Sequence, residues 1–165
     1  MTMSELVEVL DHRGAVVDVV PRAVMRARNL RHRSVYIAVL DRNRLLVHQR
    51  AAWKDVWPSR WDVAFGGVCA VGERWSDAAR RELAEEAGVD VDVDELLDLG
   101  DGWYESDIVR VVGRVYAVQH RGPFSHPDGE VQRTEWVALA DLVHWLSDHE
   151  VCDDSLDVVV PRLVE

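Results

Sequence analysis

The chain of 165 residues has few cysteines, no long apolar run and fewer basic than acidic residues. Its cysteines, Cys69 and Cys152, lack the spacing of a metal-binding pair, and Cys69 is read as a small buried thiol rather than a nucleophile. No segment approaches the roughly 18 apolar residues that a membrane-spanning helix needs, and the charged start is not typical of a signal peptide. We therefore predict a cytoplasmic protein that has no membrane partner.

The shortage of basic residues also limits the partners of the protein. Asp and Glu number 30 against 19 Lys and Arg, so the formal net charge is −11. A surface of this sign repels nucleic acid and phosphate compounds at long range, and we expect no duplex DNA partner. A metal ion or a local group of arginines must then attract any phosphate substrate. The most basic stretch is either a solvated face or a contact with substrate phosphate or the acidic site; it contains Arg22, Arg26, Arg28, Arg31 and Arg33.

Short apolar runs separated by turn residues predict many strands and one central helix. The predicted strands are Leu6–Leu10, Ala15–Val20, Ser34–Leu40, Arg44–Arg50, Trp61–Phe65, Leu96–Tyr104, Asp107–His120 and Glu130–Leu139, and the predicted helices are Pro21–Leu30, Ser76–Ala87, 140–146 and Leu156–Leu163. A mixed β-sheet with helices on both sides is an α/β/α sandwich, so the predicted fold class is α/β. The length and the hydrophobic content of 48% fit one domain over residues 1–165, with residues 1–30 as a hairpin and helix extension.

The central helix carries carboxylates in an arrangement that disfavours stability. Ser76 is its predicted N-cap, and Gly88 is its predicted left-handed end. At about 100° per residue, Glu82, Glu85 and Glu86 share one arc beside the buried stripe of the helix. Like charges one turn apart cost about 0.2–0.5 kcal/mol per exposed pair, and the C-terminal half of a helix favours cations. A divalent cation would reverse this repulsion, so the arc is either a metal site or a solvated acidic face, and for two adjacent glutamates alone the solvated face is the commoner case.

The residues around these carboxylates form a longer pattern. From Gly67 to Val89 the chain reads G-x5-E-x7-R-E-U-x-E-E-x-G-U, where U is a bulky aliphatic residue. The matching residues are Gly67, Glu73, Arg81, Glu82, Leu83, Glu85, Glu86, Gly88 and Val89. Seven fixed identities coincide by chance at any one place with a frequency of about 10⁻⁸ or less. The sequence therefore resembles the Nudix hydrolase family, and the flanking pattern is consistent with one Nudix domain over most of the chain.

The resemblance implies a Nudix fold and a metal-dependent hydrolase. Such an enzyme cleaves the pyrophosphate linkage of a nucleoside diphosphate attached to another moiety, X, by attack of water on phosphorus. The implied cofactor is Mg²⁺ or Mn²⁺, with Glu82, Glu85 and Glu86 as metal ligands and the backbone at Gly67 facing the metal. Zinc is disfavoured because the sequence shows no cluster of His and Cys.

The resemblance also implies residues for proton transfer and support. Arg81 is expected to form an ion pair with Glu73 that fixes the helix and the preceding loop. Glu85 is one candidate for the base that deprotonates the water. The base can instead be a carboxylate on a distant loop or strand, for which the candidates are Asp128, Glu130 and Glu135, with Glu130 the first choice.

The substrate is expected to be a small-molecule diphosphate whose X group is chosen by loops outside the signature. Trp57 and Phe124 are candidates for stacking on a base or holding an isoprenoid, and Arg50 is a third candidate for substrate binding. Packing in the core is the alternative role of Trp57. Nudix enzymes are often dimers, so a homodimer is one expected assembly.

A second resemblance points to a different reaction. The residues that are similar to the isopentenyl-diphosphate isomerase branch of the superfamily are His32, Arg33, Trp57, Pro58 and the segment Asp128–Val131. That branch uses a Cys at the position of Gly66, and this chain has Val68 where the branch has a metal-binding His. His32 is otherwise read as a core or turn histidine. The alternatives to a hydrolase are therefore an isomerase-like enzyme and a domain that binds a nucleotide without cleaving it.

Overall fold

A hairpin and a short helix begin the described chain, which covers residues 5–164 in this computed structural model. Strand β1 (Leu6–Leu10) pairs antiparallel with β2 (Val16–Pro21), and helix α1 (Arg22–Arg28) follows directly. Helix α1 ends at Asn29, whose left-handed backbone (φ 50°) stops the helix. The structure thus contains the hairpin and the helix that the sequence predicts, and their assignment as an extension of a single domain stays a prediction. Residues 1–4 and 165 of the predicted domain lie outside the described residues.

Seven strands of the described chain form the central sheet. They are β3 (His32–Asp41), β4 (Arg44–Arg50), β5 (Trp61–Asp62), β6 (Phe65–Val68), β7 (Leu97–Glu105), β8 (Arg110–Gln119) and β9 (Val131–Ala138). Strands β5, β4, β3, β8 and β7 lie side by side in that order, while β6 pairs with β3 and β9 pairs with β4. Strands β3 and β8 are parallel and the other pairs are antiparallel, so the sheet is mixed, as predicted.

The segment predicted as one strand, Trp61–Phe65, is divided between two strands. Its first part, β5, pairs with β4, whereas β6 begins at Phe65 and pairs with residues 34–37 of β3. The carboxylate of Asp62 accepts the backbone N–H of Val63 at 2.8 Å and stabilises the break between the two strands. The division carries β6 and its two glycines beside the start of β3.

Helices cover both faces of the sheet. They are α2 (Trp75–Ala87) on one face, and α3 (Leu142–Ser147) and α4 (Asp153–Val158) on the other. Val35 and Ile37 of β3 lie in one buried cluster with Leu83 of α2. Tyr36, between them in sequence, lies in a second cluster with Leu142 of α3. Because neighbouring residues of β3 face opposite sides, the predicted α/β/α sandwich is confirmed.

The central helix differs from the prediction at its start. Helix α2 begins at Trp75, so Arg74 rather than Ser76 is the N-cap, and no side chain of residues 5–164 caps the helix. An ion pair of 3.0 Å between Arg74 and Asp77 ties the first turn instead. At the other end, Gly88 has a left-handed backbone (φ 66°) and its N–H donates to the backbone O of Ala84, as predicted.

The last helix also begins earlier than predicted. Helix α4 starts at Asp153, and the N–H of Leu156, the predicted start, already donates to the backbone O of Cys152 at 3.2 Å. Pro161 lies in a 3-10 turn, Val160–Arg162, that follows the helix. Within residues 5–164, every helix is too short or too polar to cross a membrane.

Candidate active site

The three glutamates of α2 have different surroundings. Glu82 and Glu86, one turn apart, are 7% and 6% exposed, whereas the side chain of Glu85 is half exposed. Burial raises the pKa of Glu82 to about 7 and raises the pKa of Glu86 well above its usual range. Burial therefore favours the neutral form of both carboxylates, and at Glu82 the neighbouring Arg81 acts against it.

The loop between β8 and β9 brings two more carboxylates to Glu86. One carboxylate oxygen from each of Glu86, Asp128 and Glu130 lies within 4.8 Å of the other two. We call these three residues the carboxylate cluster. The loop is fixed on α2, because Nδ1 of His126 lies 2.6 Å from the backbone O of Glu86 and the N–H of Asp128 donates to the backbone O of Glu85 at 3.4 Å.

Lys54, the single lysine of the chain, lies against the carboxylate cluster. Its Nζ forms an ion pair with Oε1 of Glu130. Burial acts to raise the pKa of Glu130, but Asp128 and Lys54 outweigh burial and the pKa is lowered. Burial and the neighbouring Glu130 raise the pKa of Asp128. Glu130 is thus the more readily ionised member of this pair.

Arg81 is the centre of an ion-pair network that orients α2. Its guanidinium donates to both carboxylate oxygens of Glu73 at 2.9 Å, to Glu82 at 2.8 Å and to Glu85 at 3.3 Å. It also donates to the backbone O of Val68 in β6 at 3.2 Å. The hydrogen bonds to Arg81 lower the pKa of Glu73. The predicted pair of Arg81 and Glu73 is confirmed, and it ties the helix to β6 and the loop before it.

Two glycines of β6 make room for their neighbours. A Cβ on Gly67 would lie 2.6 Å from the carboxylate of Glu82, and a Cβ on Gly66 would lie 1.8 Å from the backbone O of Val35. A larger residue at either position would force backbone or carboxylate to move. Gly67 therefore leaves space for Glu82, and the metal-facing role of its backbone stays a prediction.

A cavity of about 90 Å³ lies beside the carboxylate cluster, with Glu86 and Gly67 in its wall. Four basic side chains from different parts of the chain also line it; they are Arg22, Arg26, Arg50 and Lys54. In a chain of net charge −11, this gathering of positive charge is a local exception. The cavity can attract an anion that the rest of the surface repels.

Two of the three predicted substrate-binding residues line this cavity. They are Arg50, which donates from Nε and Nη2 to the backbone O of Val56 at 3.1 and 2.9 Å, and Trp57, which is 8% exposed. Phe124 is not among the lining residues. It is partly buried and packs against the core cluster that contains Val35, Ile37 and Leu83. The centre of its ring lies 5.9 Å from that of Trp136.

Cys69 and His32, the two residues that bear on the isomerase alternative, are both buried. Cys69 is 3% exposed in the α2-side core, and burial raises the pKa of its thiol to about 12. His32 lines the cavity, but Nδ1 lies 2.9 Å from the backbone O of Leu30, and burial lowers its pKa to about 4. Cys69 is therefore a poor nucleophile, and His32 is neutral at physiological pH.

Sequence reasoning missed Lys54 and a buried acidic wall of the cavity. Tyr36 donates to Asp154 at 2.7 Å, and Ser155 donates to Asp62 at 2.5 Å. Burial raises the pKa of both aspartates. The sequence offered two signals, a tyrosine within the apolar strand SVYIAVL and a single lysine after a strand. Neither signal indicated that the tyrosine would contact Asp154 or that the lysine would contact Glu130.

The carboxylate cluster has the chemistry of a site for a hard divalent cation. It offers only oxygen donors, and the charges of Glu130 and Asp128 act together with burial to raise the pKa of Glu86, so a cation would offset both effects. Glu82 lies beside this cluster, since its charge acts on Glu86, whereas Glu85 points its half-exposed carboxylate to Arg81. The donors at hand thus fit Mg²⁺ or Mn²⁺.

Comparisons with known proteins bear on this site. The family model described as NUDIX domain matches residues 30–155. An uncharacterized Nudix hydrolase of Yersinia pestis is 34% identical over 139 residues, covering 84% of this chain and 75% of the relative. Another uncharacterized Nudix hydrolase, from Pseudomonas aeruginosa, is 37% identical over 157 residues, covering 94% of this chain and 92% of the relative. A protein of Deinococcus radiodurans whose crystal structure is known has a similar fold, with a TM-score of 0.82 and 22% sequence identity. The match covers 98% of this chain and 100% of that one.

Proposed function

Because the chain belongs to the Nudix family and is a Nudix pyrophosphohydrolase, we propose that it cleaves the pyrophosphate linkage of a nucleoside diphosphate attached to another moiety, X. We further propose that the reaction requires Mg²⁺ or Mn²⁺. The observation that supports this most is the meeting of Glu86, Asp128 and Glu130 beside a cavity that four basic side chains help to line. Oxygen donors for a cation and cationic side chains for a phosphate are the two needs of phosphoryl transfer.

The carboxylate cluster would hold the cation, with Glu82 beside it. When bound, the cation supplies positive charge that stabilises negative charge developing on the phosphate oxygens. Glu85 stays a candidate ligand or base at the exposed edge of the same helix. Arg81 acts as a positioning residue, because it binds Glu73, Glu82 and Glu85 together.

Proton transfer is assigned to Glu130. Its carboxylate is ionised more readily than those of Glu86 and Asp128, so it can accept a proton at neutral pH. The oxygen of a water forms a bond to one phosphorus while the bond from that phosphorus to the bridging oxygen breaks. The proton of the water passes to Glu130, and the bridging oxygen leaves with the other phosphoryl group.

The isomerase alternative has less support. A cysteine at position 66 would place its Cβ 1.8 Å from the backbone O of Val35, so this backbone does not accept the residue that the branch requires there. Cys69 does not replace it, because its thiol is buried in the core away from the cavity. The cytoplasmic location, the homodimer and the absence of a duplex DNA partner stay predictions.

A phosphate-release panel tests the proposal. Wild type is incubated with Mg²⁺ and nucleoside triphosphates, nucleotide sugars, ADP-ribose, NADH, dinucleoside polyphosphates, coenzyme A or isopentenyl diphosphate, with a coupled phosphatase. We expect at least one member to be hydrolysed, and Glu86→Gln to lower kcat by about 10²-fold or more. Glu95→Gln, an exposed glutamate in a 3-10 turn, is the matched control and should keep full activity.

Three outcomes would contradict the proposal. Full activity in Glu86→Gln would remove the carboxylate cluster from the reaction. Silence across the panel, together with isomerisation of isopentenyl diphosphate seen by NMR, would favour the isomerase alternative. Binding of panel members without turnover would favour a binding domain.

A further inference from the structure

Part of the cavity wall comes from outside the matched family domain. Arg22 and Arg26 lie one turn apart on α1, and both line the cavity together with Glu86. The family model begins at residue 30, so both arginines belong to the N-terminal extension. The charge of Arg22 also acts on Glu130, which indicates that α1 and the carboxylate cluster are neighbours.

Helix α1 is fixed firmly enough to position these arginines. Met25, between them, is 1% exposed and packs with Val7 of β1 and Val68 of β6. The helix end is held as well, because the side chain of Asn29 donates to the backbone O of Ser106 at 2.9 Å. The arginines are therefore carried by a packed element rather than by a free tail.

The guanidinium of Arg26 is poorly satisfied in the protein alone. Its Nε is buried without a hydrogen-bond partner among the described residues, and its ion partner Asp55 is 3.6 Å away with an exposed side chain. Burial, followed by the like charge of Arg22, lowers the pKa of Arg26. Arg50 repels it too. With its side chain 24% exposed, Arg26 is partly withdrawn from water, and like charges gathered in such a place repel one another unless an anion joins them.

Trp57 supplies a second unsatisfied donor to the same cavity. Its side chain is more than nine-tenths buried, and its Nε1 has no hydrogen-bond partner among residues 5–164. Its backbone is left-handed (φ 46°), a conformation that costs about 1–3 kcal/mol for a bulky residue. An orphan indole N–H and an orphan guanidinium N–H in one cavity point to a ligand that offers several acceptor oxygens.

We propose that Arg22, Arg26 and the indole N–H of Trp57 form a subsite for a second phosphoryl group of the substrate, beyond the group at the carboxylate cluster. The inference rests on the proposed diphosphate hydrolysis and adds the N-terminal extension to its specificity. Phosphate suits the subsite because its oxygens accept the planar fork of an arginine and an added N–H together. Molecules with two linked phosphoryl groups are bound tightly, and those with one are bound weakly.

Binding of two phosphonates tests the subsite without turnover. Methylenediphosphonate carries two phosphonyl groups on a bridge that cannot be hydrolysed, and methylphosphonate carries one. Calorimetry with Mg²⁺ compares wild type with Arg22→Gln, Arg26→Gln, Trp57→Phe and the control Arg28→Gln, which removes an exposed arginine from the same helix. Melting temperatures are recorded for each variant.

We expect wild type to prefer methylenediphosphonate and each arginine variant to weaken its binding by about 10- to 100-fold. Trp57→Phe, which keeps the ring, should weaken it by about 5-fold. Methylphosphonate binding should change by less than about 2-fold in all variants, and Arg28→Gln should bind both as wild type does. The melting temperatures of the arginine variants should equal or exceed that of wild type, because each variant removes one of two like charges that repel each other.

Three results would overturn the subsite. They are a wild type that does not bind methylenediphosphonate, arginine variants that bind it as wild type does, and arginine variants that lose several degrees in melting temperature with unchanged binding. The proposed hydrolysis can fail independently, because it is tested by turnover in Glu86→Gln, whereas the subsite is tested by binding of an inert ligand.

Discussion

A single turn of α2 separates Glu82 from Glu86, and both are buried, while Glu85 between them is half exposed. At the scale of the residue, burial therefore divides three glutamates that the sequence presents as equals. Burial alone would keep a carboxylate neutral, and the nearby charges decide the outcome at each position. Glu130 has Lys54 beside it and is ionised most readily, so it differs from Glu86 although both belong to the carboxylate cluster.

This difference gives a prediction about the base. Glu130→Gln should lower kcat by about 10²- to 10⁴-fold, because it removes the proton acceptor and one of the three carboxylates of the cluster but keeps the shape of the side chain. Glu85→Gln should lower kcat by less than about 10-fold. Steady-state kinetics on the best panel substrate measures both. A large loss in Glu85→Gln with an active Glu130→Gln would transfer the role of base to Glu85.

At the scale of the element, the unit from β6 to α2 is the part of the site that could be predicted from sequence. The signature fixes the spacing of Gly67, Glu73 and Arg81, and the observed contacts among β6, the loop and α2 follow it. The prediction of Ser76 as N-cap was wrong because Arg74 already has the extended backbone of an N-cap and pairs with Asp77.

The contacts between distant elements could not be predicted in the same way. The sequence proposed Asp128 and Glu130 as candidates for the base, but their meeting with Glu86 depends on how the β8–β9 loop is hydrogen-bonded to the end of α2. The same loop takes Phe124 into the core, away from the cavity. Periodicity reports which face of an element is buried, not which loop closes over it.

At the scale of the whole molecule, the charge distribution favours a phosphate substrate in one place. The net charge is −11, yet Arg22, Arg26, Arg50 and Lys54 gather around one cavity. The sequence predicted that arginines or a metal must attract the substrate, and left open whether the basic stretch near the N-terminus is a solvated face. Two of its five arginines line the cavity, so the N-terminal segment contributes to the cavity wall.

The buried acids should also make the stability of the metal-free protein depend on pH. The pKa of Glu82 is raised from 4.5 to about 7 by burial, so its protonated form is favoured in the folded state. Its contribution to stability is therefore complete below pH 4.5 and is lost as the pH rises toward 7. In EDTA, Glu82→Gln should gain about 3 kcal/mol relative to wild type over this range.

Denaturant unfolding of both proteins at several pH values measures this gain, with Glu95→Gln as the control whose curve should run parallel to wild type. Adding Mg²⁺ at neutral pH should stabilise both proteins, because the ion binds the folded state only. The gain should be larger for wild type, because Glu82→Gln removes a carboxylate beside the proposed ion site. A difference between wild type and Glu82→Gln that is constant with pH would contradict the raised pKa of Glu82.

The most direct test of the account is the position of the metal. A crystal of the wild-type protein soaked in Mn²⁺ would locate the ion by its anomalous scattering. We predict a peak among the carboxylate oxygens of Glu86, Asp128 and Glu130, and its loss in crystals of Asp128→Asn that keep the same fold. A peak at another site, or none at a Mn²⁺ concentration that supports turnover, would contradict the assignment of the carboxylate cluster as the metal centre of this hydrolase.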